Sequence, residues 1–409
     1  MHAEIVVTGT ELLLGELVDT NSAMLARMLR DIGLDLYYKT VVGDNRERIA
    51  AVLRLALERS DIVLTSGGLG PTVDDVTREA VSDVTGRPLV FHPHLLDQIA
   101  ARFARFGRPM SENNRRQAYV PEGAIILENR EGTAPGFIVE DARGTIICLP
   151  GVPRELEHMM HTHVLPYLKR RLGQEMVILP RVLRTCSIGE SQIDAQIGDL
   201  MRGCNPTVGL AAHAGQVDIR ITAKAPTHAD AERLIAPVEA EVRRRLGDVI
   251  FGSDGQTLEG VVVELLVRHG ATLALVDSLT GGQVADMVRD VGPSALLLAD
   301  QRYADAPAAL AGLRLEAVYR DAGARRTAEE AAERVRVESG SSLGLALLGM
   351  LPEEDSATPM AYVALSDGAT RVVRAYRFGS ENELTRRWIT VRALDMLRRH
   401  LLGLAPFDR

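Results

Sequence analysis

The feature that most constrains this chain is a buried-type strand that empties into a glycine turn followed by two acids. Asp61–Thr65 (DIVLT) has an apolar centre and runs directly into Ser66–Thr77 (SGGLGPTVDDVT). A short continuous apolar run of this kind reads as a strand covered on both faces. Ahead of it, β-branched runs alternate with helical patterns. Glu4–Thr8 predicts a first strand and Leu36–Val42 a second. Thr20–Gly33 predicts a helix with Met24, Leu25, Met28, Leu29 and Ile32 on one face and Gly33 as its stop. Arg46–Arg59 predicts another, with Ile49, Val52, Leu53 and Leu57 aligned. Strand–helix–strand–helix–strand implies parallel pairing, so the expected fold class is α/β with a doubly wound sheet. Ligands on such sheets bind beyond the carboxyl ends of the strands.

The turn itself carries chemistry. Gly67, Gly68 and Gly70 remove Cβ atoms where the backbone turns sharply, and successive N–H groups in such a turn can form an anion-binding nest with Thr72 beside it. Asp74 and Asp75 follow at its mouth. Adjacent carboxylates repel unless they share a cation or a proton, and a hard divalent ion bridging to phosphate satisfies both. The pattern is neither a Walker A loop nor GxGxxG. The competing reading is a glycine turn ahead of a helix, with Asp74 or Asp75 as an acid favoured by the helix dipole.

Other loops are expected on the same rim. Thr8–Gly15 (TGTELLLG) puts Thr8 and Glu11 at the end of the first strand, Asn21 opens a helix, and Asp44 ends the second strand in VGDN. Asn113, Asn114 and Gln117, then Glu131–Gly136 (EGTAPG, with Gly132), then Leu149–Glu155 (LPGVPRE, with Pro150, Gly151 and Glu155) complete the set. From these residues we expect Asp75, Asp74 and Asp44 to be catalytic. Thr8, Asn21, Gly67, Gly68, Gly70, Thr72, Gly132, Pro150 and Gly151 are the expected substrate contacts. Asp75, Asp74, Glu11 and Glu155 are the candidate metal ligands, for Mg, Mn or Co.

After about residue 172 the pattern changes. Arg181–Ser187, Val208–His213 and Val217–Lys224 predict strands, and Ser191–Leu200 and Ala229–Leu246 predict helices, with a hairpin at Ala214–Gly215 and a linker at Phe251–Gln256. Leu258–Arg268 then predicts a helix, Thr272–Val276 a strand and Gly281–Val288 a helix start; Ala361–Leu365 with Arg371–Tyr376 predicts a hairpin, and Glu383–Leu402 a closing helix. Three domains are expected, at 1–172, 173–252 and 253–409. The 47 basic and 55 acidic residues give a net charge of −8, whose field repels phosphate polymers and anionic membranes. With aromatics at 4% and one Trp, Trp388, a base-stacking platform is not expected either. Phosphate must therefore be held locally. No run of about 18 apolar residues and no secretory leader is evident. Cys148, Cys186 and Cys204 show no metal spacing and are expected as buried reduced thiols. His158, His161 and His163 (EHMMHTH) do not match HExxH and are expected on an exposed helix face.

Taken together, TGTELLLG, Asp19–Asn21 (DTN), VGDN, GGLGPTVDD, GTAPG and LPGVPRE resemble the competence/damage-inducible CinA family over essentially all of residues 1–172. The same segment is similar to the molybdopterin-binding fold, whose GGTG…D-x-T pattern is echoed by Gly67–Gly70 and Asp75–Thr77. The resemblance implies a KH-like middle domain, a C-terminal amidohydrolase-like domain, cytoplasmic location and a homodimer. It also implies, as in some members, a metal-dependent ADP-ribose pyrophosphatase in the N-terminal domain, yielding AMP and ribose 5-phosphate from a small nucleotide substrate. The middle segment lacks a GxxG loop with basic neighbours, so no nucleic-acid binding is expected from it. Two other functions fit the residues: a non-hydrolytic pterin or nucleotide binder, and a dimeric scaffold linked to competence or damage response.

At the back, the family's SCTGG motif matches Asp277–Gly282 (DSLTGG), which keeps Ser278, Thr280 and Gly281 but has Leu279 for Cys. The family's Tyr–Lys pair matches Tyr303 but meets Ala308, its TGIAGP-like loop meets Leu348–Pro352, and its arginine meets Asn382. A serine without a base is a poor nucleophile, and Asn cannot replace a bidentate phosphate contact. Nicotinamide mononucleotide deamidation is therefore expected to be lost, with Ser278 read instead as a helix N-cap.

Overall fold

The computed structural model describes residues 1–173, 176–353, 356–377 and 382–405. The chain divides into two compact units, Met1–Leu179 with Ala223–Arg233, and Pro180–Thr222 with Leu234–Arg409.

The front unit holds β1 His2–Thr8, β2 Asp35–Val42, β3 Ile62–Ser66, β4 Leu89–Phe91, β5 Tyr119–Pro121, β6 Ile125–Leu127, β7 Gly136–Asp141 and β8 Gly144–Leu149. Six of these form one sheet in the order β2-β1-β3-β8-β7-β6, and β4 pairs with β5 separately. β1, β2, β3 and β8 run parallel, as the strand–helix alternation requires. β7 turns back antiparallel against β8 and β6. β3 shows why its sequence is apolar throughout. Ile62 and Leu64 join Leu25 and Leu29 on one face, and Val63 joins Leu53 and Val81 on the other. Each such buried side chain contributes about 1.5–3 kcal/mol. The helices Thr20–Asp31 and Arg46–Arg59 open on side-chain caps: Asp19 accepts from the Ser22 N–H at 2.9 Å and Asn45 from the Arg48 N–H at 3.0 Å. Register aligns Val7 of β1 with Ser66 of β3, and Ser66 with Leu149 of β8. The carboxyl ends of three strands therefore lie side by side.

The middle stretch builds β9 Val177–Cys186, β10 Thr207–His213, β11 Gln216–Ala225 and β12 Ile250–Ser253, in the order β10-β11-β9-β12. Two expectations need correction here. The segment taken as a linker from Phe251 begins inside β12, which pairs antiparallel with β9. The helix expected through Leu200 ends at Ile197. The last sheet comprises β13 Leu273–Asp277, β14 Leu297–Arg302, β15 Leu343–Glu353, β16 Ser356–Ser366 and β17 Arg371–Arg377, ordered β14-β13-β15-β16-β17. β13 pairs in parallel with β14 and β15, and the expected β16–β17 hairpin is present. The closing helix Glu383–Leu401 packs Ile389, Leu394 and Leu397 into the same core as Val363 and Leu365. On that helix Arg398 and Asp395, each 3% exposed, form an ion pair, and Arg398 also donates to the Asp248 carbonyl at 2.7 Å. Cys148 and Cys186 are buried; Cys204 is exposed, against expectation. Among the described residues no helix is long and apolar enough to cross a membrane.

Candidate functional site

The glycine turn leaves β3 in a conformation only glycine adopts readily. Gly67 has φ +108° and Gly68 φ +68°, and a Cβ on Gly67 would meet the Thr8 carbonyl oxygen at 2.6 Å. The turn is held from behind. The Gly67 N–H donates to the Leu149 carbonyl at 3.0 Å, and the Thr77 hydroxyl donates to the Gly67 carbonyl at 3.0 Å. Arg78, 1% exposed, donates to the carbonyls of Leu69 at 2.7 Å and Gly70 at 2.8 Å. Burial pushes its guanidinium down to about 10. With these carbonyls turned to Arg78 and Thr77, the N–H groups of Gly68, Leu69 and Gly70 have no protein acceptor among the described residues. Sequence reading missed Arg78; its only signal was a charge at the second position of a helix, which ordinarily means solvent.

A cleft of about 420 Å³ opens in front of the turn. Thr8, Glu11, Asp44, Gly67, Gly68, Gly70, Asp74, Asp75, Pro150, Gly151 and Glu155 all line it, with Gln117 and Thr133. These residues come from six separate stretches of chain, gathered mainly by the side-by-side ends of β1, β3 and β8. Three expected contacts lie elsewhere. Asn21 sits beneath the cleft, where its amide donates to the Ser66 hydroxyl at 3.0 Å and the Gly151 carbonyl at 2.7 Å and so ties the end of β3 to the loop that follows β8. Thr72 closes the turn by donating to Asp75 from its hydroxyl and, at 2.8 Å, from its N–H. Gly132 lines a neighbouring cleft and gives room to the Glu155 carboxylate.

The acids have distinct settings. Asp75 is half-buried and spans the turn rather than capping the following helix Thr77–Thr85, whose cap position is Val76. Asp74 is exposed; the Thr72 hydroxyl and its own backbone N–H hold its carboxyl below the usual range. Asp44 accepts from the N–H of Thr10 at 2.8 Å and its hydroxyl at 2.9 Å, bracing the start of the short helix Thr10–Leu13 that carries Glu11. Burial raises the Glu155 carboxyl, partly opposed by the Asn129 amide that donates to it at 2.6 Å. Among the described residues no three His, Cys, Asp or Glu side chains stand close enough to cage a metal. The donor set fits a hard cation held by one or two carboxylates and completed by a phosphate ligand and water, which is how Mg²⁺ is usually bound. The histidines of EHMMHTH lie on the helix Pro153–Met159 and the π turn Met160–Val164, outside any such cluster.

In the rear unit the DSLTGG segment is closed on itself. Asp277 accepts from the N–H groups of Leu279, Thr280 and Gly282 and from the Thr280 hydroxyl. Ser278 is 4% exposed and is not a helix cap: the helix starts at Gln283 behind Gly282. Its hydroxyl instead donates to the Leu347 carbonyl at 3.4 Å and accepts from the Gly349 N–H at 3.2 Å on β15. The Gly281 carbonyl accepts from Arg302, and the Tyr303 hydroxyl donates to Gln301 at 3.2 Å. Leu348–Pro352 is part of β15 rather than a loop. Asn382 caps the closing helix by accepting from the Thr385 N–H at 3.0 Å.

The mixed sheet with its glycine turn defines an α/β domain of the molybdopterin-binding-like fold: residues 4–170 match the family described as "Probable molybdopterin binding domain". Residues 180–252 match the "Damage-inducible protein CinA KH domain". A CinA-like protein of Dictyoglomus turgidum is 37% identical over 413 residues, covering 99% of this chain and all of the relative. One from Frankia casuarinae is 40% identical over 420 residues, covering 99% and 97%. The chain belongs to the CinA family. Among solved structures, a CinA protein of unknown function from Thermoplasma acidophilum is 34% identical, covering 40% of this chain and 96% of its own, with a TM-score of 0.38.

Proposed function

We propose that the front unit hydrolyses a nucleotide diphosphate such as ADP-ribose, with a divalent cation of the Mg, Mn or Co type, to AMP and ribose 5-phosphate. The observation that carries this reading is the set of three N–H groups at Gly68, Leu69 and Gly70 left without acceptors among the described residues, beside a cleft walled by Asp74 and Asp75. Those N–H groups would receive oxygens of the diphosphate, a fixed array that needs no reorganisation as charge grows. Asp74 and Asp75 would hold the cation, with Glu11 within the same cleft; the bound ion supplies charge neutralisation and acidifies water. Glu155, which lines the same cleft, would take a proton from the attacking water. The water oxygen bonds to one phosphorus, the bridging P–O bond breaks, and the second phosphate leaves with the electron pair. Asp44 acts indirectly, by bracing the short helix that carries Glu11. The test is incubation of the full chain with ADP-ribose and each metal, with AMP and ribose 5-phosphate quantified; no AMP under any metal ends the proposal.

A second reading, a pterin or nucleotide binder without hydrolysis, draws support from the family match over residues 4–170. Thermal shift with molybdopterin and ATP in the absence of AMP production distinguishes it. For the rear unit we propose that deamidase chemistry is lost, since Ser278 is buried and bonded to β15. The chain is further taken as a cytoplasmic homodimer, with light scattering as the check on its assembly.

A further inference from the structure

The diphosphate cleft does not end at the glycine turn. Thr133 lines it and also lines two further clefts, one of about 440 Å³ and one of about 370 Å³. Arg102 borders both of these; Arg105 and Arg130 line the first, and Arg108 and Phe106 the second. Arg102 is fixed: it donates to the Arg130 carbonyl at 2.6 Å and to the Glu131 carbonyl, and its guanidinium lies 5.7 Å from the Phe106 ring centroid. Arg105, Arg108 and Arg130 have no ion pair and no side-chain hydrogen bond among the described residues. Glu128, the carboxylate on that wall, accepts from Gln98 at 3.2 Å. Phe106 is 65% exposed.

Elsewhere among the described residues this acidic chain pairs about half of its arginines with nearby carboxylates, as at Arg46–Asp83, Arg245–Asp199 and Arg302–Asp286. Three unpaired guanidinium groups and an open aromatic ring, all reached past a residue shared with the diphosphate cleft, are complementary to a flat group that carries its own anion. Arginine is the side chain best suited to phosphate, through paired N–H donors, and an exposed ring with a neighbouring guanidinium accepts a nucleobase by stacking. We infer that the arginine-lined clefts beyond Thr133 hold the nucleoside end of the substrate, and that they select nucleotides bearing a further phosphate on that nucleoside. This rests on the diphosphate hydrolysis proposed above and names its substrate class more narrowly.

The experiment compares kcat/KM for ADP-ribose and ADP-ribose 2′-phosphate, under the same metal and salt, in the full chain and in Arg105→Glu/Arg130→Glu. Circular dichroism establishes that the variant is folded; Arg105→Gln/Arg130→Gln replaces it if it is not. The native chain is expected to prefer the phosphorylated substrate by about tenfold or more, the scale of one or two charge-assisted contacts. The double substitution is expected to bring the ratio to about one or below, since the readout is the ratio and not either rate alone. A native ratio near one, or a preference unchanged by the substitutions, overturns the inference and leaves diphosphate hydrolysis standing. Failure of the native chain to hydrolyse either substrate overturns the hydrolytic reading and this one with it.

Discussion

Replacing Arg78 by Met separates the architecture of the site from its chemistry. Met keeps most of the volume and removes the donors that reach the Leu69 and Gly70 carbonyls. Hydrogen bonds to a charged group contribute about 1.5–3 kcal/mol each, so the two represent about 3–6 kcal/mol. Against this, burial that lowers the guanidinium to about 10 already costs roughly 3 kcal/mol. The Leu69 carbonyl keeps the Gln117 amide at 3.3 Å, and half-buried Gly70 can be solvated. The net loss of stability is therefore about 0–3 kcal/mol, a fall in Tm of only several degrees. The loop fares worse, because Thr77 still holds the Gly67 and Gly68 carbonyls but the peptide between Leu69 and Gly70 is left with the long Gln117 contact alone to fix which way it faces. Affinity for inorganic pyrophosphate with magnesium is expected to drop by about 10- to 100-fold, or 1.4–2.8 kcal/mol. Arg78→Lys should fall between, since one ammonium lacks the fork that spans both carbonyls. Calorimetric titration beside thermal unfolding reads both quantities. Native affinity for pyrophosphate in Arg78→Met would falsify the idea that the buried guanidinium presents the amides of the turn.

Asp75→Asn is expected to lower kcat for ADP-ribose by about 10²-fold or more, while unfolding moves little because Asn can still accept from Thr72. Glu155 has its carboxyl raised above an ordinary value of 4.5 by burial, so its contribution to stability is full at acid pH and is lost as pH rises through the raised value. Glu155→Gln should thus be more stable than native at pH 7–8, and thermal unfolding should show that gain shrink toward about pH 4; a pH-independent difference counts against it. Ser278→Ala should cost about 1 kcal/mol through its lost bonds to β15 and leave ammonia release from nicotinamide mononucleotide at background; robust release that the substitution abolishes would reverse the assignment. Arg398→Leu strands Asp395 in the core and should cost about 3–5 kcal/mol, part of which returns in Arg398→Leu/Asp395→Leu, as denaturant titration would show.

Much of the front sheet was legible because each long element carries one period. Arg46–Arg59 reads as a helix and is one, and β1, β2 and β3 begin and end within two residues of their sequence patterns. Strands of three residues, such as β4, β5 and β6, are too short to show alternation, and residues 343–348 of β15 look the same as a buried helix because both faces are covered there. The cleft was legible as a set of loops because the topology dictates where strand ends meet. What escaped was direction. Sequence places Asn21 and Thr72 at the rim but cannot say that one stitches strand ends from below and the other closes on Asp75. Arg78 was invisible because its partners are carbonyls, which carry no sequence signature. Ser278 was misassigned because its partners on β15 lie about seventy residues away.

The single amide of Asn21 grips Ser66 and Gly151, positions 45 and 130 residues further along the chain. A pocket floor assembled from such distant stretches has no fragment that can form it alone. Any occupant must therefore report on the fold of the whole front unit. Its grip should appear as resistance of that unit to proteolysis and heat, growing with the logarithm of ligand concentration, and a nick anywhere between residues 21 and 151 that loosens the floor should abolish the protection all at once.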